Sequence, residues 1–234
     1  MNSTTVFARD SASASNRSDD SDRTAESKPP VRIKELSERD RRSVLMHFHA
    51  LGEKDRMLRF GTVLSDELIT KYVQKMDFAR DTVFGVYDSK LALTGIGHLA
   101  FAPRDTVPSV IDATLKERVA EFGVSVLQSA RGLGIGSKLF KRAAIHCRNA
   151  DVDTLYMQCL ASNQTMIHIA KKAGMEIHRD HGETDAYLRL LPANPGSVMR
   201  EAVEEQVATF DYALKANAAA ASRWLGNLPG FKSE

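Results

Sequence analysis

From residue 31 onward apolar positions recur in short periodic blocks, whereas the first 29 residues carry scarcely any large apolar side chain. Val31-Arg32-Ile33-Lys34-Glu35-Leu36 alternates with the two-residue period of a half-buried strand. Behind Ser37, a possible cap, Val44, Leu45, Phe48 and Leu51 return at helical spacing and predict a helix over about 37–50. Leu68, Ile69, Tyr72 and Val73 do the same behind Ser65, Asp66 and Glu67, whose acidic pair suits the positive end of a helix at about 65–76. The stretch Lys54–Gly61 between them reads as a helix end and loop with Arg56 and Arg59 in solvent. A functional alternative sets those arginines near an acidic group.

Three strands are expected at about 82–88, 91–101 and 117–127, separated by Gly, Asp, Pro and Lys clusters. The third runs into Gly132-Leu133-Gly134-Ile135-Gly136, followed by a helix over 135–149 with Ile135, Leu139, Ala143 and Cys147 on one stripe opposite Lys138 and Arg142. Leu155–Leu160 reads as a buried strand, 163–173 as a helix stopped by Gly174, and 175–180 and 184–190 as closing strands. Past Pro192 and Pro195, Met199, Val203, Val207, Phe210 and Leu214 line one face of a helix over about 197–222, which must cover its own domain or a second subunit. The pattern divides the chain into a disordered tail at 1–29, one α/β domain at 30–192 and a C-terminal helical extension at 193–234.

Composition removes several alternatives. A net charge of +2 from 32 basic and 30 acidic residues gives no field to draw the chain onto nucleic acid or a membrane surface. No apolar run approaches the roughly 20 residues of a membrane span, and no secretory signal is read, so a cytoplasmic protein is expected. The two cysteines, Cys147 and Cys159, form neither a C-x-x-C pair nor a zinc-like spacing with histidine, so neither disulfide nor metal is expected.

The glycine turn is the most specific chemical signal. Amides in the first turn of a helix lack carbonyl partners and carry the positive end of the dipole, which suits phosphate oxygens. A nucleotide-triphosphate loop would need G-x-x-x-x-G-K-[ST], which is missing. A dinucleotide fingerprint would need a third glycine, or alanine, where Ser137 stands and an acid in the next strand, Leu155-Tyr156-Met157-Gln158-Cys159-Leu160, which has none; dinucleotide binding is therefore a weak runner-up.

The remaining pattern, R-x-x-G-x-G as Arg131, Gly134 and Gly136, resembles the coenzyme A pyrophosphate loop of the GNAT N-acetyltransferase superfamily. The strand Ala120–Val126 before it, the helix after it, and Asn163 followed eleven residues later by Gly174 occur in the family's order over roughly 31–191. The resemblance implies a GNAT-like central mixed, mostly antiparallel sheet flanked by helices, with acetyl-CoA as co-substrate. It further implies that main-chain groups of Val124, Ser125 and Val126 pair with the acetyl and pantetheine amides. Amides of Arg131, Gly132, Leu133, Gly134, Ile135, Gly136 and Ser137 would cradle the pyrophosphate, and Asn163 would cap its helix and touch the pantetheine arm.

An alkyl amine with a reference pKa of about 10.4 must lose a proton before it attacks a thioester. Glu121 sits on the glycine-bearing strand between small neighbours, where a carboxylate can have a raised pKa, and it matches the strand glutamate that commonly serves as base in lysine-modifying members of the superfamily. The tyrosine that many members use to protonate the leaving thiolate is replaced here by Ala170. His98, His146 and His168 are alternative donors, although single histidines are usually structural. Neither cysteine neighbours a base in the sequence, so direct transfer without an acyl-enzyme is expected. The acceptor reads as a small amine or a protein lysine, and the C-terminal helix as a possible homodimer contact. A coenzyme A-binding sensory or regulatory module without turnover is the alternative.

Overall fold

The computed structural model describes residues 30–101 and 118–226. Among them, seven strands form one sheet in the order β1-β2-β3-β4-β5-β7-β6. These are β1 (Lys34–Leu36), β2 (Thr82–Tyr87), β3 (Leu93–Phe101), β4 (Val119–Val126), β5 (Thr154–Leu160), β6 (Glu176–Asp180) and β7 (Glu183–Arg189). Every pairing is antiparallel except β4 with β5. β2 is buried throughout and β3 along most of its length, which explains why their sequences are apolar on both faces instead of alternating.

Helices cover both faces. On one, α1 (Arg41–His49) and α3 (Asp66–Lys75) bring Val44, Phe48, Ile69 and Val73 onto Val83 and Ile96. On the other, α4 (Ile135–Asn149) and α5 (Gln164–Ala173) close over Phe84, Leu99, Phe122, Leu155 and Met157 with Leu139, Ala143, Ile167 and Ile169. Each of the larger apolar side chains buried in these layers contributes about 1.5–3 kcal/mol by leaving water.

Between α1 and α3 the chain forms a separate helix, α2 (Glu53–Phe60), where the sequence reading placed a helix end and loop. Glu53 and Asp55 occupy its first turn, favourable to the dipole, and Gly61 ends it at φ 73°, a left-handed conformation that glycine adopts without Cβ strain. Other differences are small: β1 begins at Lys34, and a single 3-10 turn, Glu38–Asp40, precedes α1. The expected tail at 1–29, residue 117 of the expected third strand and the last eight residues of the extension lie outside the described residues.

The last helix, α6 (Pro195–Gly226), packs along α4 and β1. It docks through polar groups. Arg142, expected on the solvent side of α4, is instead 2% exposed because α6 covers it. Its guanidinium donates to Glu201 at 2.6 Å and Glu205 at 3.2 Å and lies 4.9 Å from the Phe84 ring centre. His146 and Asn149 also meet Glu201, and the backbone N–H of Glu35 donates to Glu205. Burial favours the neutral form of Glu201, but hydrogen bonds from His146, Arg142 and Asn149 outweigh it and hold its pKa at about 2. The apolar stripe points the other way: Met199, Phe210 and Leu214 are 67%, 67% and 54% exposed, and Val203 and Val207 are exposed too. It therefore covers nothing among the described residues of its own domain. No helix among the described residues is long and apolar enough to cross a membrane.

Removing Arg142 leaves two carboxylates facing each other without a cation. Arg142→Ala should cost about 3 kcal/mol in urea unfolding, the lower end for a broken buried pair because both carboxylates still reach solvent. A Glu carboxyl whose folded pKa is depressed stabilises fully above its unfolded value and loses that contribution as pH falls through the folded one. The stability gap between wild type and Glu201→Gln should accordingly be complete above pH 4.5 and shrink toward pH 2.

Candidate active site

The parallel ladder between β4 and β5 is short. It pairs Val119 with Thr154, Ala120 with Leu155 and Glu121 with Tyr156, and then stops. β4 continues to Val126 paired only with β3, while β5 continues to Leu160 paired only with β7. Among the described residues no strand covers the β5-facing edge of β4 past Glu121. A cavity of about 430 Å³ opens at this divergence, lined among others by Arg59, Tyr72, His98, Glu121, Gly123 and Cys159.

At the end of the slot stands the glycine loop. Gly132 and Gly134 have φ of 78° and 72°, and Gly134 begins α4 with no side chain capping its first turn. First-turn amides at Ile135, Gly136 and Ser137 have no carbonyl four residues back within α4 and point out of the helix end, so an anion can take them. Gly136 permits close packing, since a Cβ there would lie 3.1 Å from Ile169 of α5. The Arg131 side chain is exposed and pairs with Asp55 of α2 at 2.6 Å, tying α2 to the loop.

The other sequence candidates fall around this slot. Val124 lines the cavity and Val126 lies further along β4. The Ser125 side chain turns inward and meets Nε2 of His47 at 2.8 Å, while Nδ1 of His47 lies 2.8 Å from the Leu93 carbonyl. Burial pushes His47 down to about 4, so it is neutral near pH 7; its Nδ1–H donates to Leu93 and its Nε2 accepts the Ser125 hydroxyl. Asn163 caps α5 by accepting from the Met166 N–H, and its amide reaches the Leu58 carbonyl of α2. Glu121 lines the cavity with an exposed side chain, more open than its small sequence neighbours suggested. Ala170 is buried inside α5, and His168 is exposed on it.

Two cavity residues, Arg59 and Tyr72, were given no site role in the sequence reading. Arg56, expected in solvent, donates to the carbonyls of His49, Leu51 and Leu64 and pairs with Asp66. Arg59 takes a different course: its guanidinium lies over β4, filling the space a side chain at Gly123 would need, with atoms 2.7 Å from where that Cβ would stand. It packs 5.2 Å from the Phe60 ring centre and 5.9 Å from that of Phe48, and donates to Tyr72 at 3.3 Å. Tyr72 in turn meets His98, so His98 belongs to the cavity wall. His146 is held by Thr82 and Glu201 away from it. Cys159 also lines the cavity; burial, reinforced by Asp185, raises its thiol pKa, and burial pushes Cys147 up to about 12, so both are poor nucleophiles. Among the described residues no cluster of histidine, cysteine and acidic groups could hold a metal.

A mixed sheet that splays beside an uncapped glycine helix start is the framework of an acyl-coenzyme A-dependent transferase. Residues 62–175 match the family described as Acetyltransferase (GNAT) family, and the match supports membership of the GNAT superfamily. Its fold is similar to that of the GNAT domain of S. lividans PAT, at 16% identity and a TM-score of 0.56 over 68% of this chain and 90% of that one. It is also similar to spermidine N-acetyltransferase from Vibrio cholerae in complex with CoA and spermine, at 17% identity and TM-score 0.51 over 68% and 95% of the two chains. Ribosomal-protein-alanine N-acetyltransferase from Brucella melitensis gives 18% identity and TM-score 0.51 over 68% and 99%. No curated protein matches the chain.

Proposed function

We propose that this protein transfers an acetyl group from acetyl-CoA directly to a primary amine, carried by a small molecule or a protein lysine. The observation that carries the reading is the unpaired β4 edge running from Glu121 toward the uncapped start of α4. Val124, Ser125 and Val126 would offer main-chain groups to the pantetheine amides, residues 131–137 would bind the pyrophosphate, and Asn163 would flank the arm. Acetyl-CoA supplies an activated acetyl thioester there. Glu121, at the cavity and reached by solvent, takes the amine proton directly or through water. The raised thiols of Cys147 and Cys159 favour attack by the amine itself over a cysteine-bound acetyl group. Ala170 in place of a tyrosine is the one feature that favours a binding module without turnover. Thiol release from acetyl-CoA with a panel of spermidine, free lysine and lysine peptides separates the two readings: the enzyme releases thiol with at least one acceptor, the module with none.

The outward stripe of α6 supports a homodimer through this helix, because five large apolar side chains on one face of a soluble chain need a cover. Phe210→Glu should convert a dimer seen by light scattering into a monomer. A wild type that is monomeric at high concentration would count against the pairing.

At the loop, Gly134→Glu places a carboxylate and a strained left-handed residue where phosphate oxygens would rest. Nothing crowds that position, so the domain should stay folded while calorimetric affinity for coenzyme A falls by at least about 10²-fold. Wild-type affinity in the folded variant would remove the loop from the site.

Glu121→Gln keeps the shape of the side chain but cannot accept a proton. Turnover at saturating acetyl-CoA should fall by about 10²–10⁴-fold near neutral pH, with the deficit narrowing as rising pH frees the amine. An unchanged pH–rate profile, with chemistry limiting, would exclude Glu121 as base.

A further inference from the structure

One hydrogen-bonded chain at the cavity has no part in the reading so far. Arg59 Nη2 lies 3.3 Å from the Tyr72 hydroxyl, which lies 3.2 Å from Nδ1 of His98; Nε2 of His98 lies 3.1 Å from Oδ2 of Asp81. Arg59, Tyr72 and His98 line the cavity, and Asp81 stands behind them with its side chain 5% exposed. The four come from α2, α3, β3 and the turn before β2. They converge on one spot: His98 is the register partner of Gly123, the residue over which Arg59 lies and the second along β4 from Glu121.

Donor and acceptor roles follow from the chemistry. An aspartate carboxylate only accepts, so Nε2 of His98 donates to Asp81. In the neutral imidazole Nδ1 then accepts the Tyr72 hydroxyl. In the imidazolium Nδ1–H donates to the Tyr72 oxygen instead, which releases the phenolic hydrogen toward the cavity. The second arrangement is served by its surroundings. Burial would favour neutral Asp81, but hydrogen bonds from His98 and Arg80 outweigh it and hold Asp81 below the ordinary carboxylate range, so a negative charge faces the imidazole. Arg59 has no carboxylate within ion-pair distance among the described residues and its Nε is buried without a partner. Its Nη2 donates to the Tyr72 oxygen. The charged and titratable groups around His98 are therefore Asp81 and Arg80 behind it, Tyr72 and Arg59 beside it, and Glu121 across the cavity.

We propose that Tyr72 is the acid that protonates the departing coenzyme A sulfur, with His98 and Asp81 as the positioning pair that restores its proton. The inference rests on the acetyltransferase reading and fills the role left open by Ala170. As the amine nitrogen bonds to the acetyl carbon, the carbon–sulfur bond breaks with its electron pair on sulfur. The Tyr72 O–H bond breaks and S–H forms; the Nδ1 proton of His98 passes to the Tyr72 oxygen. Glu121 receives the proton lost by the amine and solvent recharges His98, so one amide and one thiol result.

Two measurements on Tyr72→Phe test this. In single turnover with acetyl-CoA and whichever acceptor of spermidine, free lysine or a lysine peptide reacts, the variant should be about 10²-fold slower, the modest end for acid catalysis because a thiol is a good leaving group. With bound coenzyme A alone as probe, thiolate absorbance should show the thiol ionising at higher pH in the variant than in wild type, since a hydrogen bond to sulfur is lost. Asp81→Asn replaces the carboxylate that orients the imidazole against Tyr72 and should likewise slow single turnover and raise the pH at which the bound thiol ionises; it carries the test should Tyr72→Phe fail to fold. A folded Tyr72→Phe with the wild-type single-turnover rate and thiol titration overturns the proposal, as does a folded Asp81→Asn with both unchanged. A wild type that binds coenzyme A but acetylates no acceptor overturns the acetyltransferase reading, while the thiol titration still decides whether Tyr72 meets the sulfur.

Discussion

Three residue pairs, Val119 with Thr154, Ala120 with Leu155 and Glu121 with Tyr156, are all that join the two antiparallel halves of the sheet. A parallel ladder that ends so soon leaves backbone donors and acceptors on one edge of β4 inside a layered domain, where an unpaired amide costs free energy comparable to a lost hydrogen bond. Something must meet that edge. An extended amide-bearing arm would meet it by the logic of an added strand. The same divergence opens the cavity and brings the start of α4 to its end, so the proposed anion and arm sites both follow from one interruption of pairing.

Helix α2 makes this slot a walled cavity rather than an open groove. Asp55 ties it to Arg131 at the glycine loop, its Leu58 carbonyl receives the Asn163 amide, and Arg59 crosses to β4 over Gly123. Glycine at 123 is therefore explained by space rather than by backbone conformation: any larger residue would expel the guanidinium. The opposite flank is held by a different device, the Arg142 ion pairs that seat α6 on α4. Tyr212 against Tyr87 and the buried Ala208 join these polar contacts, while the larger apolar stripe of α6 is turned outward.

Much of this was legible in the residues. The glycine turn, the strand before it and the helices after it follow from local periodicity and turn chemistry, which act over a few neighbours and therefore show in sequence. Glu121 was legible as a strand residue on the right face, but its openness was not, because the divergence of β5 is a long-range property. Arg59 and Tyr72 were readable only as a charged residue and an apolar stripe member. The signal that could have found α2 was local: Glu53 and Asp55 after Gly52, with Gly61 eight residues beyond Glu53 as a stop. Arg142 misled because a cation opposite an apolar stripe normally faces solvent, and only the arrival of α6 from 59 residues away buries it.

Hydrogen exchange with and without coenzyme A tests the central claim most directly, since it reads the β4 edge and the α4 start amide by amide. Saturating coenzyme A should slow exchange at β5-facing amides within Val124–Val126 and at Ile135, Gly136 and Ser137, with little change along α6. Tight coenzyme A binding that leaves both segments exchanging as in the free protein would contradict the assignment of the slot as the place where the cofactor arm and its pyrophosphate are held.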